Sequence, residues 1–328
     1  MSAAFSPVRG VAAALSTGYA LLMGGYVFAA QGSDPVWIRR RFVPTLMVAS
    51  SISYAFAIGR ALITDSRRAG TLGSGANGYG TLIILCSGVA LGYLLSRDER
   101  RRWPALVAYV AVASVALAFT LSRGAWLGFF TMLVVLALWN PQFRRWLWLG
   151  LLPLAVAFTA IPRLAPRLLS IFTAEAYLSR VYIWRSAWRM IQDHPLTGVG
   201  AGVFMHVYGA YVQPGASEQS VAYAHNLFLQ VWAEFGLIGF VIFLAILGRV
   251  LYMSFRLART GDSLYQGIFA AFLGVLVHQQ VDIPIWGIEV GGAFWLLVGL
   301  TISLYVHEMG KAQNEAVRGH WWGGVHRV

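Results

Sequence analysis

The chain has 328 residues, 58% of them hydrophobic and only 12% charged, with a formal net charge of +12 and a single cysteine. A soluble domain carries roughly 25% charged residues, so this balance, with a mean hydropathy of +0.63, excludes a soluble protein and a nucleic-acid partner for the positive charge. The partner implied is the lipid bilayer, and the lone Cys86, inside an apolar stretch, excludes an intrachain disulfide.

The N-terminus has the outline of a signal peptide: Arg9, an apolar run and a small-residue end at VFAAQG. The run is about 20 residues long, which favours a retained helix. Apolar runs of spanning length lie near 11–30, 42–62, 79–95, 104–121, 125–139, 147–161, 226–248, 264–281 and 291–306. Basic residues fall in alternate connections: Arg39–Arg41; Arg97 with Arg100–Arg102; Arg144 and Arg145; Arg249, Arg256 and Arg259; then Lys311, Arg318 and Arg327. These are assigned to the cytoplasm. The other side receives 63–78, the turn at 122–124, the long segment 162–225 and 282–290. The expectation is one all-α polytopic membrane domain over 1–328, with about nine transmembrane helices, an outer loop at 162–225 and a cytoplasmic tail at 307–328. The N-terminus then lies outside behind a weakly charged start, so an odd number of further helices is expected upstream.

FTLSRGAWLGFF, residues 119–130, interrupts the apolar sequence Pro104–Trp139 with its one charge, Arg123. That sequence is too long for one span of about 20 residues. It reads as a helical hairpin with Arg123 at the outer turn, where the side chain either snorkels to headgroups or serves a site.

The outer segment carries Arg163, Arg167, Arg180, Arg185 and Arg189 against Glu175, Asp193 and Glu218, and Arg68 and Arg123 join the same side. An arginine cluster beside a bilayer points to an anionic ligand, because the guanidinium fork holds phosphate in bidentate fashion. AEAYLSRVYIWRSAWRMIQDHP reads as an amphipathic helix, with Leu178, Val181, Tyr182, Trp184, Trp188 and Ile191 at helical spacing. It ends at Pro195, before the glycine-rich LTGVGAGVF. The helix is either an interface-lying element or a lid over the phosphates of a lipid-linked substrate, and the glycines are turns or part of that lid.

In AYAHNLFLQVWAEFGLIGF, residues 222–240, His225 stands where the outer segment enters the membrane. Asn226, Gln230 and Glu234 follow along one helix face, the last roughly 12 Å below the first. Such a stripe is either interhelical hydrogen bonding or the wall of a substrate site. His225 is the candidate general base, since an imidazole suits proton abstraction near neutral pH. The outer face has no D-x-D, no H-x-x-x-H and no paired carboxylates, so a metal-independent reaction with no cofactor is expected, the arginines neutralising the charge of a leaving diphosphate. There is no nucleotide-binding loop, so an activated substrate must supply the energy.

Four stretches together resemble the O-antigen ligase/polymerase superfamily: RRAGTLGSGANGYG (67–80), TLSRGAWLG (120–128), SRVYIWRSAWRMIQDHPLTGVGAGVF (179–204) and HNLFLQVWAEFGLIGF (225–240). The resemblance covers about residues 67–290. It implies a bacterial inner-membrane glycosyltransferase with its loop in the periplasm, taking a glycan from an undecaprenyl-diphosphate-linked donor. The acceptor is lipid A-core in ligases, another repeat unit in polymerases, and protein in related enzymes. The resemblance assigns the base to His225 and the diphosphate contacts to Arg180 and Arg123, with Arg68 and Arg185 as further carry-overs. Arg189 joins these from the outer cluster, and Asn226, Gln230 and Glu234 are added as substrate-binding candidates from the stripe below His225. The implied reaction is a single inverting displacement. About twelve helices are usual in the family, against nine here. A transporter of lipid-linked glycans is the rival from another class. It would want arginines on both sides and helices broken near mid-membrane. A non-catalytic scaffold would not need the polar stripe.

Overall fold

The structure, a computed structural model, describes residues 21–323 except 22, 29, 31, 64–68, 71–74, 97–102, 163, 171–172 and 174. Among the described residues all regular structure is helical. The principal helices are α1 (Val43–Ile63), α2 (Ala76–Leu95), α3 (Trp103–Thr120), α4 (Arg123–Trp139), α5 (Pro141–Ala160), α6 (Glu175–Asp193), α7 (Leu227–Ala258), α8 (Ser263–His278) and α9 (Ile288–Gly323).

Among the described residues five helices are long and apolar enough to cross a membrane: Pro35–Ile63, which runs through a π-helical stretch into α1, then α2, α3, α7 and Ile288–Lys311 of α9. The helices α4 and α8 are apolar but shorter. Eight of the nine apolar runs therefore fall on helices, while most of the first, 11–30, lies outside the described residues. The helix α5 falls outside both groups of apolar helices; it holds Arg144, Arg145 and the internal Pro153. Helix α9 carries on as helix through Gly323, into the segment expected to be a tail.

The outward faces are apolar. Ile52, Phe56, Trp148, Leu152, Val156, Ile238, Val241 and Ile242 are all exposed. A belt of this size is stable only where the solvent is lipid. Between helices of equal apolarity, close backbone approach replaces the hydrophobic effect as the source of association. Here α8 is the hub. A Cβ on Gly267 would meet the Gly88 carbonyl oxygen at 2.2 Å, and one on Gly274 would meet the Gly128 carbonyl oxygen at 2.6 Å. So α2 and α4 both cross α8 at glycine.

Local signals set the helix ends. Ser122, Asn140, Asn226 and Asp262 each cap the following helix with a side-chain oxygen. At one end of the bundle Asp262 also pairs with Arg39, which lies over the Tyr265 ring, and Tyr265 donates to Glu308 at 3.1 Å.

Helix α7 has 32 residues but is broken at Gly236, whose φ is 66°. The glycine-rich loop fills the break. Val199 and Gly200 donate backbone N–H groups to the carbonyls of Ala233 and Glu234, and Leu237 donates to Pro195. A Cβ on Gly198 or Gly236 would come within 2.5 Å or less of the facing backbone. The loop glycines are thus needed for backbone-to-backbone docking, and the N–H groups of Val199 and Gly200 are consumed there.

Helix α6 packs into a satellite core with this loop. Ile183, Ala187, Met190 and Ile191 are buried against Val199, Phe204, Tyr208 and Ala233. Leu178 and Trp188, assigned to the apolar face from the sequence, are 48% and 46% exposed. Their exposure leaves them free for the interface-lying role expected from the sequence, while a second stripe of the same helix packs on the glycine-rich loop.

Candidate active site

Four helix ends meet at one end of the bundle: the N-termini of α2, α4 and α7 and the C-terminus of α8. His225 sits just before α7, held at φ 52°, a left-handed conformation that is unfavourable for a residue with a Cβ. The strain is sustained by the cap that follows: Asn226 Oδ1 accepts from the N–H groups of Phe228 and Leu229, and its amide donates to the Gln280 carbonyl. Leu227 N–H donates to Gln279 O, so the segment is pinned to the turn after α8.

That turn carries Asp282, whose side chain is 4% exposed. Its Oδ1 lies 3.0 Å from His225 Nδ1 and accepts the Ile283 N–H at 2.9 Å, while its Oδ2 accepts from the Asn77 amide. Burial alone pushes the Asp282 carboxyl up, but the hydrogen bond from His225 and the charges of His225, His278 and Arg180 outweigh it and hold the group below its ordinary value. An ionised carboxylate can only accept, so His225 Nδ1 carries a proton, and in the neutral form of the ring the lone pair lies on Nε2. The Tyr223 ring meets the imidazole edge-on at 4.6 Å between centroids.

Beside this set is a cavity of ≈390 Å³ whose polar wall includes Arg123, Arg167, Arg180, Asn77 and Asp282. Each arginine is positioned by a different element. Arg123 opens α4, donates to the Ser170 carbonyl at 3.0 Å and lies 5.4 Å from the Tyr177 ring centroid. Arg167, in the short helix Leu164–Leu169, donates to the Leu121 carbonyl at 3.1 Å. Arg180 shares a face of α6 with Tyr177 and Trp184, which also line the cavity. Gly124 is required by the floor: a Cβ there would meet Val281 at 2.5 Å and His278 at 2.9 Å. Trp184 Nε1 and His278 Nε2 are buried and have no hydrogen-bond partner among the described residues.

The other candidates are placed as follows. Arg185 and Arg189 are exposed on α6 and do not line this cavity. Arg68 lies outside the described residues. Gln230 and Glu234 are each 1% exposed and turn inward. Gln230 Oε1 accepts from the Ala224 N–H at 2.7 Å and Glu234 Oε1 from the Phe204 N–H at 3.2 Å, so they hold the outer segment onto α7 rather than lining this cavity. Asp282 escaped the sequence reading as a site residue because it is a lone polar residue in a connection, with no spacing to mark it; Asn77 stood inside the RRAGTLGSGANGYG stretch but was not singled out there as a site residue. Arg167 was visible only as one of many outer arginines.

Residues 108–244 match the family model described as O-antigen ligase. Over these residues the chain resembles the O-antigen ligase family. The match runs from α3 through α7 and takes in Arg123, Arg167, Arg180 and His225, whereas Asn77 and Asp282 lie on either side of it. Over 236 residues the chain is 23% identical to a protein of Rickettsia conorii named as a candidate polysaccharide ligase, covering 66% of this chain and 55% of that one. A Rickettsia felis protein of the same description is 24% identical, again over 66% and 55%. An O-antigen ligase of Salmonella typhimurium is 26% identical over 56% of this chain and 51% of its own length. The chain spans about half the length of the curated relatives it matches.

Proposed function

We propose that the protein is a membrane glycosyltransferase that moves a glycan from undecaprenyl diphosphate to an acceptor hydroxyl at the periplasmic face, the acceptor being lipid A-core. The observation that carries this reading is the juxtaposition of a carboxylate-oriented imidazole with a cavity walled by three arginines. Arg123, Arg167 and Arg180 would bind the diphosphate, and their charge gains value as the leaving group takes up the electron pair of the broken glycosidic bond. His225 Nε2 would take the proton of the attacking hydroxyl, and Asp282 would hold the ring and stabilise the imidazolium. The oxygen–anomeric carbon bond forms as the anomeric carbon–phosphate oxygen bond breaks, which inverts the configuration.

The lipid tail has a path. Trp126, Phe130 and Leu168 line both the arginine cavity and an apolar groove of ≈190 Å³ walled also by Leu133, Leu151 and Phe158. Phe130 is 59% exposed, so the groove is reached from the lipid side. An anionic head with an apolar tail matches a polyprenyl diphosphate and no small soluble anion. The relatives named as ligases support a polysaccharide as the transferred group. Repeat-unit polymerisation or protein glycosylation would use the same donor site, with only the acceptor differing. The test is to incubate purified protein with a polyprenyl-diphosphate-linked glycan and lipid A-core, and to look for glycan-bearing lipid A-core. Release of polyprenyl diphosphate without any glycosylated product refutes the transferase assignment.

A further inference from the structure

A second cavity, of ≈580 Å³, lies on the far side of Asn77. Asn77 lines both cavities, and the consecutive residues Asp282 and Ile283 line one each. Tyr223, which packs on the His225 ring, lines the second. Asn77 and the Asp282–Ile283 pair thus stand between the two spaces, and His225, which lines neither, contacts this partition through Asp282.

The charges of the two cavities differ. The first is walled by Arg123, Arg167 and Arg180. The described lining of the second contains no cation, and its one charged residue is Glu289, exposed in the first turn of α9. A diphosphate is repelled by such a wall and drawn to the other. A neutral, hydroxyl-rich group suits it: an amide, a carboxylate and a phenol with its ring are the side chains that accept and donate to sugar hydroxyls and cover an apolar sugar face.

We propose that this second cavity binds the acceptor, a glycan end whose nucleophilic hydroxyl passes between Tyr223 and Asn77 to reach His225. The proposal rests on the transferase reading above and adds where the acceptor sits and what recognises it. Two entrances on either side of the base let donor and acceptor load independently. They also bring the nucleophile from a direction other than that of the departing diphosphate, which displacement with inversion requires. Tyr223 and Glu289 are then specificity residues for the acceptor, and neither meets the lipid-linked donor.

Gly75 lines the cavity, its φ is −61°, and a Cβ there meets nothing within 4 Å. A side chain at Gly75 therefore starts in open space, so Gly75→Trp adds bulk at the cavity wall, and Glu289→Ala removes the carboxylate. Leu127→Trp obstructs the arginine cavity for comparison. With purified full-length protein in lipid nanodiscs, polyprenyl-diphosphate-linked glycan as donor and lipid A-core as acceptor, KM is measured for each substrate. Gly75→Trp and Glu289→Ala should each raise the acceptor KM about tenfold or more and leave the donor KM within about twofold, while Leu127→Trp does the reverse. An unchanged acceptor KM in a folded Gly75→Trp protein, or a raised donor KM instead, overturns the acceptor site while transfer by the unaltered protein keeps the transferase reading. If the unaltered protein transfers nothing, both fall.

Discussion

Asp282→Asn is the sharpest probe of the proposed chemistry, because it keeps the volume and removes only charge and acceptor capacity. The carboxylate serves three donors: His225 Nδ1 at 3.0 Å, Ile283 N at 2.9 Å and the Asn77 amide. An asparagine offers one oxygen and one NH₂. With its oxygen toward His225, its amide opposes the Asn77 amide, donor to donor. With the amide toward His225, Nδ1 must accept, the ring proton moves to Nε2, and the lone pair needed for base catalysis is lost. The same substitution in the serine-protease triad lowers kcat about 10⁴-fold, and general-base catalysis typically contributes about 10²- to 10⁴-fold. A fall of about 10²- to 10⁴-fold in kcat is therefore expected here, or about 2.7–5.4 kcal/mol of transition-state stabilisation. The assay is single-turnover transfer at saturating donor, with donor affinity measured separately. Affinity should hold or rise, since the substitution removes negative charge from the cavity that takes the diphosphate. A folded Asp282→Asn protein with kcat within about threefold of the unaltered one refutes the orienting role.

Other outcomes can be checked alongside. His225→Ala should abolish or greatly slow transfer, by about 10²- to 10⁴-fold, while binding donor normally; loss of donor affinity instead makes His225 a phosphate ligand. Arg123→Ala and Arg180→Ala should weaken donor binding and slow turnover together, with lysine rescuing only partly, and equal activity of the lysine variants rules out bidentate contact. Gly198→Ala and Gly236→Ala force a Cβ into facing backbone at positive φ, so each should destabilise the loop–helix joint by more than about 2 kcal/mol, read as a lowered melting temperature. Because the folded Asp282 carboxyl titrates below its ordinary value, its contribution to stability is present above the usual carboxylate range and lost as pH falls through the lowered value; Asp282→Asn should flatten that acid-side loss in a pH series of melting temperatures. Transfer should survive chelator, and loss in EDTA restored by Mg²⁺ would move charge neutralisation away from the arginines.

The helices were legible because a membrane span needs only length and apolarity, and eight runs fall on described helices. Arg123 and Arg180 were legible as cations where cations are out of place, and the structure brings both to one cavity. The stripe of Asn226, Gln230 and Glu234 was legible as unusual, but its purpose was not. A carboxylate at the depth of Glu234 is costly unless partnered. Its partner is the Phe204 N–H, 30 residues earlier, and no helical periodicity points that far. LTGVGAGVF looks alike whether it cradles phosphate or docks on a kinked helix; only the carbonyls of Ala233 and Glu234 facing it decide the matter.

The break in α7 bears on the transporter alternative, which calls for a helix interrupted near mid-membrane. The residues before Gly236 are sealed by the outer segment, and the continuation from Leu237 to Ala258 is 22 residues, about the length of one complete span. The interruption therefore belongs to the N-terminal end of the helix, beside the candidate site. Beneath the arginine cavity, Gly124 rests on His278 and Val281, and Thr81 Oγ1 lies 2.9 Å from His278 Nδ1. Further along, Gly128 meets Gly274 and Gly88 meets Gly267, at distances that leave no room for even a methyl group. A charged glycan would have to separate α2, α4 and α8 at contacts where backbone lies on backbone. The floor is built to be closed, and a cavity set at one end of the bundle suits a reaction whose donor, acceptor and products all enter and leave near the same surface.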